Sequence, residues 1–332
     1  MSLFRTYFAP GTPTYNESDV PDVQGKVFII TGGTGGVGLE IAKILYATNA
    51  SRIYLLGRSP SAMEEAIDAI RNQKSHSPVR SRNMPDEDVV RFLRLDLSDL
   101  ASIKQTARVF LEKETRLDVL WHNAAIMLAP EGSRSEQGHE LSFATNVLGP
   151  FLLQHFLTPI LLKTSKDPSN EKGSVRVCWA TSGGAVLPPG DDGILWENLP
   201  LEGPQFTGFQ GRTLRYMQSK VASTILAAEM AKRHPEIISS SYNPGALKTG
   251  IARHAPGLLA WFHNLMASPA RYGGLTAAYA AFSDDILESN GGLVVPFGHL
   301  GKMLPNVEEG IQKRDSGGRL WDLCDDLVHE HY

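Results

Sequence analysis

The chain has 332 residues, of which 42% are hydrophobic and 20% charged, enough apolar material to bury a large core and exclude extended disorder. Its 32 basic and 36 acidic residues leave a net charge of −4, which provides no global basic field for nucleic acid. Two cysteines, Cys178 and Cys324, exclude a disulfide framework, and without C-x-x-C or His/Cys spacing they exclude a structural zinc site and fit a reducing compartment.

Residues 1–24 read as an N-terminal extension, where Arg5, Pro10, Pro13, Glu17, Asp19, Pro21 and Asp22 interrupt any apolar region of signal-peptide type. From Lys26 to Thr31 the chain is apolar, then glycine-rich, then carries Leu39, Ile41, Ala42, Ile44 and Leu45 at helical spacing. That sequence of events predicts a buried parallel strand feeding a helix. Further strands are expected at 52–57, 89–95, 117–122, 174–181, 237–242 and 292–295, with a helix-period segment in every gap but one. The alternation predicts an α/β fold, a Rossmann-type doubly wound, mostly parallel seven-stranded sheet with helices on both faces, forming a single domain over 25–332.

Three segments fall outside this rhythm. Residues 75–88 are polar and read as a surface loop. Residues 183–211, rich in glycine and proline with Trp196, Phe206 and Phe209, are long enough to form a substrate loop. Residues 250–268, with Leu258, Trp261 and Phe262 beside His254 and His263, are expected to form a lid. The stretch 257–267 is taken as the most apolar one after the first strand and falls short of the roughly 20 residues that span a bilayer. No transmembrane segment and a cytoplasmic location are therefore expected, with a homo-oligomer left open.

The glycine turn Thr31–Gly38 lies where a sheet of this kind binds a dinucleotide, with backbone N–H groups at a helix N-terminus facing the diphosphate. Its glycines satisfy three templates: Gly33, Gly35 and Gly38 give G-x-G-x-x-G; Gly32, Gly35 and Gly38 give G-x-x-G-x-x-G; Gly32, Gly36 and Gly38 give G-x-x-x-G-x-G. Spacing alone does not choose among them. After the second strand, where NAD enzymes of this fold place an acid, the chain has Gly57-Arg58, and a guanidinium there suits a 2′-phosphate. The expected cofactor is NADP, with NADPH preferred over NADH. Asp96, after the third strand, suits the adenine amino group, although Ser98 or Asp99 is the better helix cap.

Tyr216 and Lys220 stand one helical turn apart and share a face, an arrangement in which an ammonium lowers the pKa of a phenol for proton transfer to a carbonyl oxygen. Ser182 follows a buried strand that delivers its hydroxyl to the carboxyl edge of the sheet. Its surroundings, Ala180-Thr-Ser-Gly-Gly184, stand one substitution from the nucleophile elbow of α/β-hydrolases, a reading that leaves the glycine turn and the Tyr/Lys pair unexplained. Asn146 lies among Phe143, Val147, Phe151 and Leu152, so its amide must find partners. His122-Asn123 ends the fourth strand, and Pro244 to Thr249 ends the sixth with groups able to hold a carboxamide.

Taken in order, these motifs resemble the short-chain dehydrogenases/reductases over about residues 25–295: T-G-x-x-x-G-x-G at Thr31–Gly38, N-A-G at Asn123-Ala-Ala125 with an alanine in place of the last glycine, then Ser182, Y-x-x-x-K at Tyr216–Lys220 and P-G-x-x-x-T at Pro244–Thr249. Asn146–Leu153 and the long interval from Ser182 to Tyr216 are most similar to the retinol-dehydrogenase-like and protochlorophyllide-reductase-like branch, especially its fungal members. The resemblance implies a tetrad in which Ser182 polarises the substrate oxygen, Tyr216 transfers the proton, Lys220 tunes Tyr216 and binds the nicotinamide ribose, and Asn146 holds a relay water. It implies cofactor contacts from Thr31, Gly32, Gly36, Val37, Gly38, Arg58, Asp96, Leu97, Asn123, Tyr216, Lys220, Pro244, Gly245 and Thr249, and no metal. The expected function is NADP(H)-dependent hydride transfer between nicotinamide and a small lipophilic carbonyl or alcohol. The alternatives are a non-catalytic NADP(H)-sensing protein and, less well supported, a serine hydrolase.

Overall fold

The computed structural model describes residues 11–73, 89–183, 189–248 and 267–332. The polar loop 75–88, residues 184–188 of the substrate loop, Thr249 and the lid up to residue 266 lie outside the described residues.

Eight strands form one sheet: β1 Val27–Thr31, β2 Arg52–Gly57, β3 Val90–Arg94, β4 Val119–His122, β5 Arg176–Ala180, β6 Ile238–Tyr242, β7 Leu293–Val295 and β8 His299–Gly301. Their order is β3-β2-β1-β4-β5-β6-β7-β8, parallel throughout except for β8, which runs antiparallel to β7. The sequence reading anticipated seven strands. The eighth is a three-residue edge strand reached through the tight turn Pro296-Phe297-Gly298, and with Leu300 exposed it carries no apolar run to announce it.

The central strands are buried on both faces, which explains their unbroken hydrophobicity. Alternate residues face opposite sides. On one face Ile29, Leu120, Val177 and Trp179 meet α3 (Leu100–Lys113), α4 (Leu141–Ser165) and α5 (Gly208–Arg233). On the other, Phe28, Ile30, Val119 and Cys178 meet α1 (Gly36–Ala47), α2 (Pro60–Arg71) and α6 (Ala270–Phe282).

Beyond residue 295, the end of the last expected strand, α7 (Pro305–Lys313) and α8 (Ser316–Val328) follow. Leu320, Cys324 and Val328 of α8 join the first core, and Trp321 meets Phe151 edge-on with ring centroids 4.9 Å apart. This cover makes α5 buried on nearly all sides along Gln218–Ala227. Among the described residues α4 alone has the length and composition to cross a membrane, and 67% of its apolar window is buried inside the protein. Packing between the sheet, α3 and α8 accounts for that composition.

Because the chain passes from β3 at one edge to β4 on the far side of β1, strand order reverses between β1 and β4. A crevice opens at such a switch point, outside the carboxyl ends of the strands.

Candidate active site

Thr31 and Asn123 tie the two strand ends together at this crevice. The fully buried Thr31 hydroxyl donates to Trp121 O (3.2 Å) and accepts from the N–H groups of Asn123 and Ala124 (both 2.9 Å). Asn123 Nδ2 donates to Thr31 O (2.9 Å), and its Oδ1 accepts from the Tyr242 hydroxyl (3.2 Å). Both side chains thus hold the turn in shape rather than reaching into the crevice. In that turn Gly32 and Gly36 have φ of +65° and +52°, and a Cβ on Gly38 would lie 2.4 Å from Gly32 O. Geometry therefore selects G-x-x-x-G-x-G from the three templates. The N-terminus of α1 has Gly35 as its cap with no side-chain hydrogen bond, and a Cβ there would point into open space.

Arg58 is exposed just beyond β2. Asp96 Oδ1 accepts from Ser98 N (3.0 Å) and Ser98 Oγ (2.6 Å), while Asp99 caps α3 by accepting from Ala101 N (3.2 Å). The Leu97 side chain belongs to the core, leaving its backbone for a ligand. Val37 is half-buried on the first turn of α1.

The second group of residues converges from β5, α4 and α5. Tyr216 and Lys220 lie buried on one face of α5, 7% and 3% exposed. Lys220 Nζ donates to Ala180 O at the end of β5 (2.8 Å), and the Ser182 hydroxyl, two residues on, is hydrogen-bonded to the Tyr216 phenol. Burial lowers the Lys220 pKa to about 7. Tyr216 departs from expectation: burial raises its pKa, and the bond to Ser182 only partly opposes this. The neighbouring amine, itself desolvated, is not what sets the phenol.

Asn146 sits in a π-helical turn, Ala144–Leu148, inside α4. Its Oδ1 accepts from Ile126 N (2.9 Å), and its Nδ2 donates to Ile126 O (3.0 Å) and Ser219 Oγ (2.9 Å). Ser219 in turn donates to Tyr216 O (2.7 Å). The amide is fully engaged, so in this structure Asn146 braces Tyr216 through Ser219. Ser219 belongs to none of the sequence motifs, although a serine on a helix otherwise buried at that level signals a partner.

The order of strands, the glycine turn and the Ser/Tyr/Lys cluster are matched by whole-chain likeness. A short-chain dehydrogenase/reductase of Phomopsis amygdali is 32% identical over 332 residues, covering 96% of this chain and 94% of that one. This chain belongs to the short-chain dehydrogenases/reductases. Another member, from Armillaria gallica, is 35% identical over 323 residues, covering 97% and 96%, so the likeness to fungal members holds. The family model for short chain dehydrogenases matches residues 26–175. Among solved structures, a Pseudomonas aeruginosa RhlG/NADP active-site complex shares the fold with a TM-score of 0.61 at 19% identity, covering 82% of this chain and 95% of that one. A short chain dehydrogenase from Shigella flexneri complexed with NADP gives 0.57 at 18%, covering 80% and 95%.

Around this dehydrogenase/reductase site the expected walls divide. Pro244 and Gly245 follow β6, where Gly245 (φ +90°) donates its N–H to Asn243 Oδ1 (3.0 Å). Trp196 is committed to the protein itself, donating to Asp192 (3.1 Å) and lying under the Arg319 guanidinium at 4.2 Å. Phe206 is half-buried and Phe209 exposed. Arg212 donates to the Leu128 and Ala129 carbonyls, and Arg215 to those of Pro200, Leu201 and Phe206. Both guanidiniums therefore fasten loops and are not held out for an anionic substrate.

Proposed function

We propose that this chain is an NADP(H)-dependent oxidoreductase that interconverts a lipophilic carbonyl compound and its alcohol, with Tyr216 as the proton donor and acceptor. The observation that carries this reading is the hydrogen bond between the Ser182 and Tyr216 hydroxyls at the carboxyl edge of the sheet, one helical turn from the buried Lys220.

The residues present fit a dinucleotide. The uncapped N-terminus of α1, with open space where a Gly35 Cβ would stand, suits a diphosphate. Exposed Arg58 suits a 2′-phosphate, and Asp96, with the backbone at Leu97, suits the adenine. Tyr216, Lys220, Pro244 and Gly245 would hold the nicotinamide end, and Thr249 is assigned there by sequence alone. When bound, nicotinamide supplies or accepts the hydride.

The chain's own part is proton control and orientation. Two hydroxyls, from Ser182 and Tyr216, are placed to bind one carbonyl oxygen. Burial keeps the phenol protonated at neutral pH, the state from which it gives its proton to that oxygen as the alcohol forms. The Lys220 amine, close to its own midpoint, supplies positive charge on the same helix face. The same pair disfavours the hydrolase reading, because the group bonded to Ser182 is a raised phenol, which is no general base at neutral pH.

Titration with NADPH and NADH, with and without Arg58→Ala, tests the cofactor assignment. NADPH should bind more tightly, and the substitution should remove much of the difference. Equal affinities in the unsubstituted protein would refute the assignment.

A further inference from the structure

Beside Ser182 lies a narrow cleft with a cavity volume of about 30 Å³, opening into solvent and walled by residues that the proton chemistry does not use. Thr224 contributes from the turn of α5 after Lys220, Leu293 from β7, and Met303, Leu304 and Val307 from the connection into α7. Among the described residues no charged side chain lines it. Its polar atoms are already in use: Thr224 Oγ1 donates to Thr181 Oγ1 (3.1 Å), which itself donates to Lys220 O (2.9 Å). The space is therefore apolar, with the Ser182 hydroxyl at one end, the usual composition of a site that orients an apolar ligand by a single polar group.

The wall is fixed from behind, so the cavity is preformed. Val307 is buried, and a Cβ on Gly193 would lie 2.5 Å from Val221 Cγ1 and 3.3 Å from Val307 Cγ2, so the chain passes closely over both α5 and α7. Asp192, next to that glycine, accepts from Trp196 Nε1 (3.1 Å) and from Ser316 at the start of α8. Arg314 closes the end of α7 by donating to Asn306 O (3.1 Å) and Asp191 O (3.3 Å).

Because Ser182 both lines this cavity and bonds Tyr216, a carbonyl oxygen shared by the two hydroxyls sets one substituent of the carbonyl carbon at the cavity mouth. We propose that the cavity receives an unbranched apolar chain of the substrate and that Met303 and Val307 set the chain length accepted. This rests on the carbonyl-reductase reading above and makes it specific: selectivity for chain length resides in the C-terminal segment 303–307.

The test is a series of 2-alkanones from butan-2-one to decan-2-one, assayed with NADPH for kcat/KM and, by ligand-detected NMR in the presence of NADP, for binding. Each buried methylene should raise kcat/KM about fourfold, from ~0.8 kcal/mol per methylene, until the cavity is full. Val307→Phe should end the rise at a shorter chain and Met303→Ala at a longer one, in turnover and in binding alike. Should Val307→Phe fail to fold, Leu304→Ala joins Met303→Ala in carrying the test. Turnover with the same chain-length profile in all variants overturns the cavity assignment and leaves the reductase reading standing. Binding that follows chain length and shifts in the variants, with no ketone reduced, supports the cavity and overturns carbonyl reduction. Neither binding nor turnover overturns both.

Discussion

Lys220 Nζ has the Ala180 carbonyl as a neutral acceptor 2.8 Å away and is shut off from solvent. An ammonium loses most of its hydration there without a counter-charge to replace it, which is why its pKa falls to about 7 instead of the ordinary 10.5. In protein labelled with [13C]lysine, one Cε resonance should titrate near pH 7 in the absence of cofactor and vanish in Lys220→Met. If every lysine titrated near 10, the amine would have to be solvated. Tyr216 is moved the opposite way by the same burial, since desolvation penalises whichever form is charged. Tyr216→Phe deletes only the hydroxyl, one of several contacts to the cofactor, so NADPH affinity should change by a few-fold at most while turnover falls by a factor on the order of 10² or more. Undiminished turnover would remove Tyr216 from the mechanism.

Helix α4 explains why the cluster stays in register. The π turn at Ala144–Leu148, whose backbone bonds span five residues, carries Asn146, which bridges the Ile126 peptide and Ser219. Asn146→Ala leaves the partly buried N–H and carbonyl of Ile126 without their side-chain partner and should cost about 2 kcal/mol, whereas Ser219→Ala removes two bonds, from Asn146 and to the Tyr216 carbonyl, and should cost about 1–2 kcal/mol. The two share the Asn146–Ser219 bond, so the double variant should lose less than the sum of the singles. Denaturant unfolding of the four proteins measures this. Strict additivity would show that the bond contributes nothing. In the same comparison, Ser219→Ala should lower kcat more than it raises KM, because Ser219 also holds the backbone of Tyr216.

At the scale of the whole molecule, the parallel sheet was legible because strands buried on both faces, such as Val27–Thr31, are written largely as apolar runs, whereas β6, Ile238–Tyr242, is equally buried with three serines in its middle and was legible mainly by its place in the alternation. The edge was not: His299–Gly301 pairs on one side only and has a single apolar residue, the exposed Leu300. Nor was the cover of α5, since α7 and α8 gain their meaning only by packing on elements far away in sequence. Tyr216, Lys220 and Ser182 were found from their spacing, while Ser219 and the cavity at Met303–Val307 depend on contacts that spacing does not encode. Burial of ionisable groups across this frame also predicts the pH dependence of stability. His122 is closed in at the end of β4, bonded through Nε2 to Gln154 Oε1 (3.0 Å) and packed at a tilt of 32° against the Trp179 ring, and burial lowers its pKa to about 4. The unfolded chain, with a histidine pKa near 6.5, binds the proton first, so stability contributed by the neutral ring is present above pH 6.5 and is lost as pH falls toward 4, by about 3 kcal/mol in all. For Lys220 the unfolded chain holds its proton up to about 10.5 while the folded chain releases it near 7, so stability rises with pH between these values, by up to about 5 kcal/mol. Tyr54 acts in the opposite direction, because burial raises its pKa to about 12 and stability is lost as pH climbs from 10 through that value. Cys178 and Cys324, whose thiols burial also pushes up, add to that loss from about pH 9 upward, so unfolding free energies at pH 5, 7, 9 and 11 should rise to a maximum near pH 9 rather than near the isoelectric point. Lys220→Met should flatten the rise between 7 and 9 and leave the acid limb intact. A maximum that stays at neutral pH in both proteins would mean that Lys220 is charged and stabilised in the folded chain.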